Sequence, residues 1–228
     1  MSSSVLPILQ RPDRNPAAKR LTDAHPLYRP VELVTQFDDT LRHLVDQMDA
    51  SMMAAKGIGI AAPQVGSSTA VFILDFPDPL NHPRYKRMTQ YAHRLQPVEK
   101  RVYINPYITL VSLETVTFWH ACLSGQALPR GKVASYEWIE FVAQDMEGRP
   151  FSGRLENMAA IIFQHEFCHL LGLMYYDQTS VLMETEPLFA AVDAGEIEVF
   201  ATGTPEDSHL LRGYHVGETL LEYQARLA

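Results

Sequence analysis

The stretch that most limits how this chain can fold runs from about Glu156 to Leu171. Met158, Ala159, Ile161, Ile162, Phe163, Phe167, Leu170 and Leu171 fall on nearly every side of a helical projection there. A helix that is apolar all round is stable only under protein on every side, so the pattern predicts a buried central helix stopped by Gly172. Into it are set His165, Glu166 and His169, within the string FQHEFCHLLG, and polar groups buried without partners are costly. At about 100° per residue the two histidines lie roughly 40° apart on one face, close enough to clamp a single ion. Glu166 points to the neighbouring sector, suited to a water at the ion rather than to the ion itself. Two helical histidines four apart also arise by chance; the complete H-E-x-x-H pattern on a buried helix favours the metal clamp.

The rest of the chain must surround that helix. Residues 6–34 read as an irregular N-terminal segment. TQFDDTLRHLVDQMDASMMAA (35–55) follows with Leu41, Leu44, Val45, Met48 and Met52 on one helical face and Thr35 or Asp38 as N-cap. GIGIAAPQVG (57–66) is a glycine-punctuated loop, and TAVFIL (69–74) a buried strand. Residues 75–100, with four prolines and many charges, predict a long surface excursion. Strands resume at RVYINPYITLVS and TVTFWHACLSG, and VASYEWIEFVAQDMEGRPFSG predicts a hairpin turning near Glu147 and Gly148. Helix, strands, then helix gives an α+β class, with mixed or antiparallel sheets packed around the H-E-x-x-H helix.

Composition narrows the function classes. A net charge of −8, from 27 acidic and 19 basic residues, argues against specific nucleic-acid binding or adhesion to anionic membrane. No apolar run approaches the roughly 20 residues of a membrane span, and the start lacks an apolar secretion signal, so a cytoplasmic location is expected. Cys122 and Cys168 are the only cysteines, too few for a disulfide framework.

A catalytic ion needs a third ligand, and that ligand decides the chemistry. In metzincin-type proteases a histidine comes six residues after the second; here that position holds Tyr175. A glutamate ligand of the gluzincin kind would come from Glu184, Glu186, Glu196 or Glu198, none on an obviously suitable helix. The remaining candidate is the thiolate of Cys122, in HACLSG after a strand, where a buried apolar cysteine is the plainer reading. Cys168 projects to the side of His165 opposite His169, so one ion cannot easily collect all three.

Three stretches, in order, resemble peptide deformylases: GIGIAAPQ (57–64) the family's G-x-G-Φ-A-A-P-Q loop, where Φ is apolar, HACLS (120–124) its E-G-C-L-S stretch, and QHEFCH (164–169) its Q-H-E-x-D-H helix. The resemblance covers residues 7 to 178. It implies a single α+β domain, taken as 1–180; beyond the match lies an extension, 181–228, in which SHLLRGYHVGETLLEYQARLA (208–228) is expected to form a terminal helix. It also implies Cys122, His165 and His169 as ligands of one divalent ion, Fe(II) first and Zn(II), Ni(II) or Co(II) as compatible alternatives. Glu166 is then the general acid and base, with Gln64 and the Leu123 N–H as donors to the formyl oxygen. Gly57, Ile58, Gly59, Ile60, Ile161 and Ile162 are the implied substrate-binding positions, for N-formylmethionyl peptides.

The chain departs from the family at His120, Ala121 and Cys168, where the family has glutamate, glycine and aspartate. Two carboxylates near the ion are therefore replaced. Arg130, in LPRGKV, matches a family arginine that normally neighbours acidic groups. A deformylase-like protein that binds peptide or metal without turnover, and an H-E-x-x-H peptidase, are the competing readings. Arg84, Lys86, Arg87, Arg94 and Lys100 make the 75–100 excursion net positive, which raises transient ribosome contact as an expectation.

Overall fold

The structure is a computed structural model that describes residues 4–11, 25–83 and 85–227. The first helix, α1 (Asp39–Ala54), starts at Asp38, whose carboxylate accepts the N–H groups of Thr40 and Leu41 at 3.0 and 3.1 Å. Such a cap contributes about 1 kcal/mol. Leu41, Val45, Met48 and Met52 pack against Ile60, Val71, Ile73, Ile104 and Leu123. Met48 and Met52 are fully buried, each contributing roughly 1.5–3 kcal/mol.

Strands β1 (Gly59–Ala61), β2 (Val71–Phe76), β3 (Val98–Val111), β6 (Trp138–Gln144) and β7 (Pro150–Glu156) form one antiparallel sheet in that spatial order. β4 (Thr115–His120) and β5 (Arg130–Tyr136) form the centre of a second, with β8 (Leu182–Met183) beside β5 and β9 (Phe200–Thr202) beside β4. Every pairing between these strands is antiparallel. Between the sheets runs α2 (Asn157–Leu170), buried from Ala160 to Leu170. It ends as the sequence predicts: Gly172 takes φ +68°, its N–H donates to His169 and that of Leu173 to Cys168, a Schellman closure that needs a residue at ease in the left-handed region.

The stretch 133–153 is not one hairpin. Its turn is where expected, with Gly148 at φ +76° closing onto Asp145, but it joins β6 to β7, while β5 lies in the other sheet across the single residue Glu137. Nor is 75–100 wholly superficial, since Tyr85, Met88 and Leu95 are buried in the main core. Arg87 pairs with Asp193, Arg94 with Glu137 at 2.8 Å and Lys100 with Asp49. Arg84 lies outside the described residues.

After α3 (Tyr175–Gln178) and β8, the chain adds α4 (Thr185–Asp193), β9 and α5 (Leu220–Leu227). The extension thus contributes strands as well as the expected terminal helix. Residues 208–210 run beside β5, the Ala134 N–H donating to Ser208 at 2.7 Å and the Leu210 N–H to Ala134 at 2.9 Å. α5 is tied down by the Tyr223 hydroxyl on the Leu171 carbonyl and by Gln224 on that of Val31.

His209, in this segment, packs on Tyr136 with ring centroids 4.4 Å apart and accepts the Leu211 N–H through Nδ1. Burial lowers its pKa to about 4. An unfolded histidine titrates near ~6.5, so from there down to ~4 only the unfolded chain takes up the proton. The stabilisation is complete above ~6.5 and is lost as pH falls towards ~4, on the order of 3 kcal/mol in all. Urea unfolding of metal-free protein at several pH values should therefore show a shallower pH dependence for His209→Phe than for the parent chain. Equal slopes would contradict this account.

Candidate active site

Three separate stretches converge on one cleft. α2 supplies His165, Glu166 and His169; the turn after β4 supplies Cys122, Leu123 and Ser124; the segment around β1 supplies Gly57, Ile58, Gly59 and Gln64. The ligand atoms of Cys122, His165 and His169 all lie within 4.8 Å of one another, and Cys122 Sγ is 3.2 Å from His169 Nε2. A thiol and two imidazoles converging inside a protein, with no carboxylate among the described residues bonded to either ring, is a donor set that fits a borderline divalent ion. Burial holds His165 at about 4 and pushes His169 well below the ordinary histidine range, with the charge of His165 adding to the effect on His169. Both rings are thus neutral, the form that ligates metal.

Cys122 is the N-cap of a 3-10 turn, Leu123–Gly125, and its sulfur accepts the Ser124 N–H at 3.4 Å. The Leu123 N–H opens that turn, where the first donors have no partner within the helix. Gln64 is held by its carbonyl end: Oε1 accepts the Ala61 N–H at 2.8 Å. That fixes the amide so that Nε2 points at Cys122 Sγ and Ser124 Oγ, each 3.3 Å away. Ser124 was not singled out in the sequence, though it stands inside the CLS string.

Glu166 is 4% exposed, and burial raises its carboxyl well above the usual range. Its closest neighbour explains a glycine. A Cβ on Gly59 would sit 2.5 Å from Glu166 Oε1, and one on Gly57 would sit 2.8 Å from Leu123 Cδ1. Neither glycine has positive φ, so each is required for space and not for an unusual backbone. Gly59→Ala should displace the Glu166 carboxylate and lower kcat about 10-fold or more while metal content stays at the parent level; such displacement of a catalytic group by an ångström is worth up to about 10² in rate. A variant with unchanged kcat would show that Glu166 has room to spare.

Ile58, Ile161 and Ile162 line the cleft as expected, but Ile60 does not. It is fully buried and packs against Met48 and Met52 of α1, because strand alternation begins only at Gly59 and does not carry the side of Ile58 on to Ile60. Phe118, Met158 and Tyr85 add to the wall, beside His120, Ala121 and Arg130. The first two were findable: Phe118 shares a strand face with His120, and Met158 lies on the helical stripe of Ile161, Ile162 and His165. Tyr85 comes from the excursion, where no local pattern marks it.

Tyr175 is no ligand, since its hydroxyl donates to the Pro129 carbonyl at 2.8 Å and its ring stacks near His165 and His120. Cys168 is 1% exposed and donates to the Leu210 carbonyl at 3.5 Å, and burial pushes its thiol pKa well up. Arg130 lies against the Phe189 ring and donates to the Trp119 carbonyl at 3.4 Å.

A sequence model of the polypeptide deformylase family matches residues 19–184. The chain belongs to that family. Peptide deformylase 2 of Nostoc sp. is 35% identical over 149 residues, covering 65% of this chain and 76% of that one. The peptide deformylase of Chromobacterium violaceum is 32% identical over 181 residues, 79% of this chain and 90% of its own. The Met-Ala-Ser-bound class I type b peptide deformylase of Acinetobacter baumannii shares the fold with a TM-score of 0.60 at 29% identity, covering 76% of this chain and 97% of that structure. The deformylase of Thermotoga maritima gives 0.59 at 28%, over 77% and 98%. Deformylases are metalloenzymes, and α4, β9 and α5 lie beyond the deformylase match.

Proposed function

We propose that this deformylase removes the formyl group from N-formylmethionyl peptides with one divalent ion held by Cys122, His165 and His169. The observation that carries the proposal is the convergence of those three side chains with Glu166 and Gln64 in a single cleft, drawn from three distant stretches of chain. A bound ion supplies Lewis acidity, polarising the formyl carbonyl and making water nucleophilic at neutral pH.

The other steps belong to the chain's own groups. β1 is an edge strand, so its free side is available to an extended peptide, and Gly57 and Gly59 put no side chain in the way. The methionine side chain enters among Ile58, Ile161, Ile162 and Met158. Gln64 Nε2 and the Leu123 N–H donate to the formyl oxygen as it gains charge, an effect of about 10²–10³ per donor in comparable sites. Glu166 takes the proton of the attacking water and delivers it to the departing amine, which leaves formate and a free N-terminus.

Fe(II) is the proposed native ion; one thiolate and two imidazoles also suit Zn(II), Ni(II) and Co(II). The proposed workplace is the cytoplasm, and no helix among the described residues is long and apolar enough to cross a membrane. Ribosome contact through 75–100 gains little support, since Arg87, Arg94 and Lys100 are each engaged with a carboxylate. The decisive experiment is formate release from formyl-Met-Ala-Ser by protein loaded anaerobically with Fe(II) or Ni(II). Stoichiometric metal without formate would refute the activity, and cleavage of an internal bond would assign a peptidase instead.

A further inference from the structure

The deformylase motif that HACLS resembles opens on a glutamate, and in this chain His120 stands in that place. It is 2% exposed on the last residue of β4, and its Nδ1 is 3.2 Å from Nδ1 of His165. The two rings are nearly parallel, 13° apart, and Phe118 meets His120 edge-on. Only one of two facing nitrogens can carry a proton in a hydrogen bond between neutral rings. With Nδ1 of His165 engaged, Nε2 is the atom left to ligate, and a ring that ligates through Nε2 carries its proton on Nδ1. That proton is then given to His120, whose own proton moves to Nε2. The assignment follows from the geometry and the donor inventory.

We propose that His120 is a positioning residue for the metal centre: it accepts the Nδ1–H of His165, fixing the tautomer and ring angle that present Nε2 to the ion. This rests on the ligand assignment above. An imidazole thus stands where the resembled motif has a carboxylate, and because its ring is not an anion, the ligand is oriented without adding negative charge next to the thiolate of Cys122. The replacement extends across the helix. Cys168, at the family's aspartate position, is turned to the Leu210 carbonyl of the extension and takes no part in holding either ligand ring by any bond seen among the described residues.

The test compares parent, His120→Phe, which keeps the ring but cannot accept, and His120→Glu, which restores an acceptor. Loss of Zn(II) to a chromophoric chelator should be about 10–100-fold faster for His120→Phe and within a few-fold of the parent for His120→Glu. Nitrogen-15 spectra of the parent Zn(II) protein should show the His165 proton on Nδ1. Equal metal retention by His120→Phe overturns the proposal. So does a His165 proton on Nε2 in the parent, a result that stands even if His120→Phe fails to fold. A parent chain that binds no Zn(II) would instead overturn the ligand assignment on which the proposal rests.

Discussion

Glu166→Gln should bind its metal ion at the parent level and release formate at least about 10²-fold more slowly, the lower end of what a positioned acid–base group contributes. The substitution isolates the proton. Glutamine matches the volume of glutamate in a space so tight that Gly59 could not carry even a methyl group there, so neither a cavity nor a clash confounds the result. Its amide cannot take a proton from water. Glu166 is also outside the group of converging ligand atoms, which is why metal content should not follow activity down. Paired measurements of metal stoichiometry and kcat make the comparison. A Gln variant within a few-fold of the parent would remove Glu166 from the chemistry, and one that lost its metal would make Glu166 a ligand.

The second large effect separates the two cysteines. Cys122→Ser should weaken metal binding by more than the roughly 10–100-fold typical of losing a group behind a ligand, because it removes a ligand itself. A serine hydroxyl stays protonated where a thiol ionises, so the two donors now aimed at Cys122 Sγ, from Gln64 and Ser124, would face a weaker acceptor. Cys168→Ser should leave metal affinity nearly unchanged. A serine there can still donate to the Leu210 carbonyl, and its cost is confined to a few tenths to about 1 kcal/mol of stability. Competition with a chelator and thermal unfolding of both variants settle the assignment, and the opposite ranking would exchange the roles of the cysteines.

What could be read from the sequence divides along physical lines. The two long helices were legible because their signals are local: a capping aspartate and a methionine stripe in α1, all-round apolarity and a terminal glycine in α2. His165, Glu166 and His169 share one helix and were legible for the same reason. Cys122 was not derivable from spacing, since it reaches the site across a sheet; only the resemblance of HACLS and GIGIAAPQ to deformylase motifs singled it out from the glutamates. Other features depend on distant partners and left no local mark. One residue, Glu137, switches the chain between sheets. Tyr85 looks like part of a polar loop until the core against which it packs is in place. Ile60 differs from Ile58 because strand geometry begins between them.

The backing of α2 also sets an order in time. Cys168 is covered by the Leu210 carbonyl, Phe167 by the ring of Tyr214, and Leu171 is capped by the hydroxyl of Tyr223. These partners follow the helix they cover, Leu210 coming 42 residues after Cys168 and Tyr223 52 residues after Leu171. Until they have been made, the rear of the ligand-bearing helix lacks these partners even though His165 and His169 are already in the chain. A deformylase of this design completes the packing around its H-E-x-x-H helix only with a segment made after that helix.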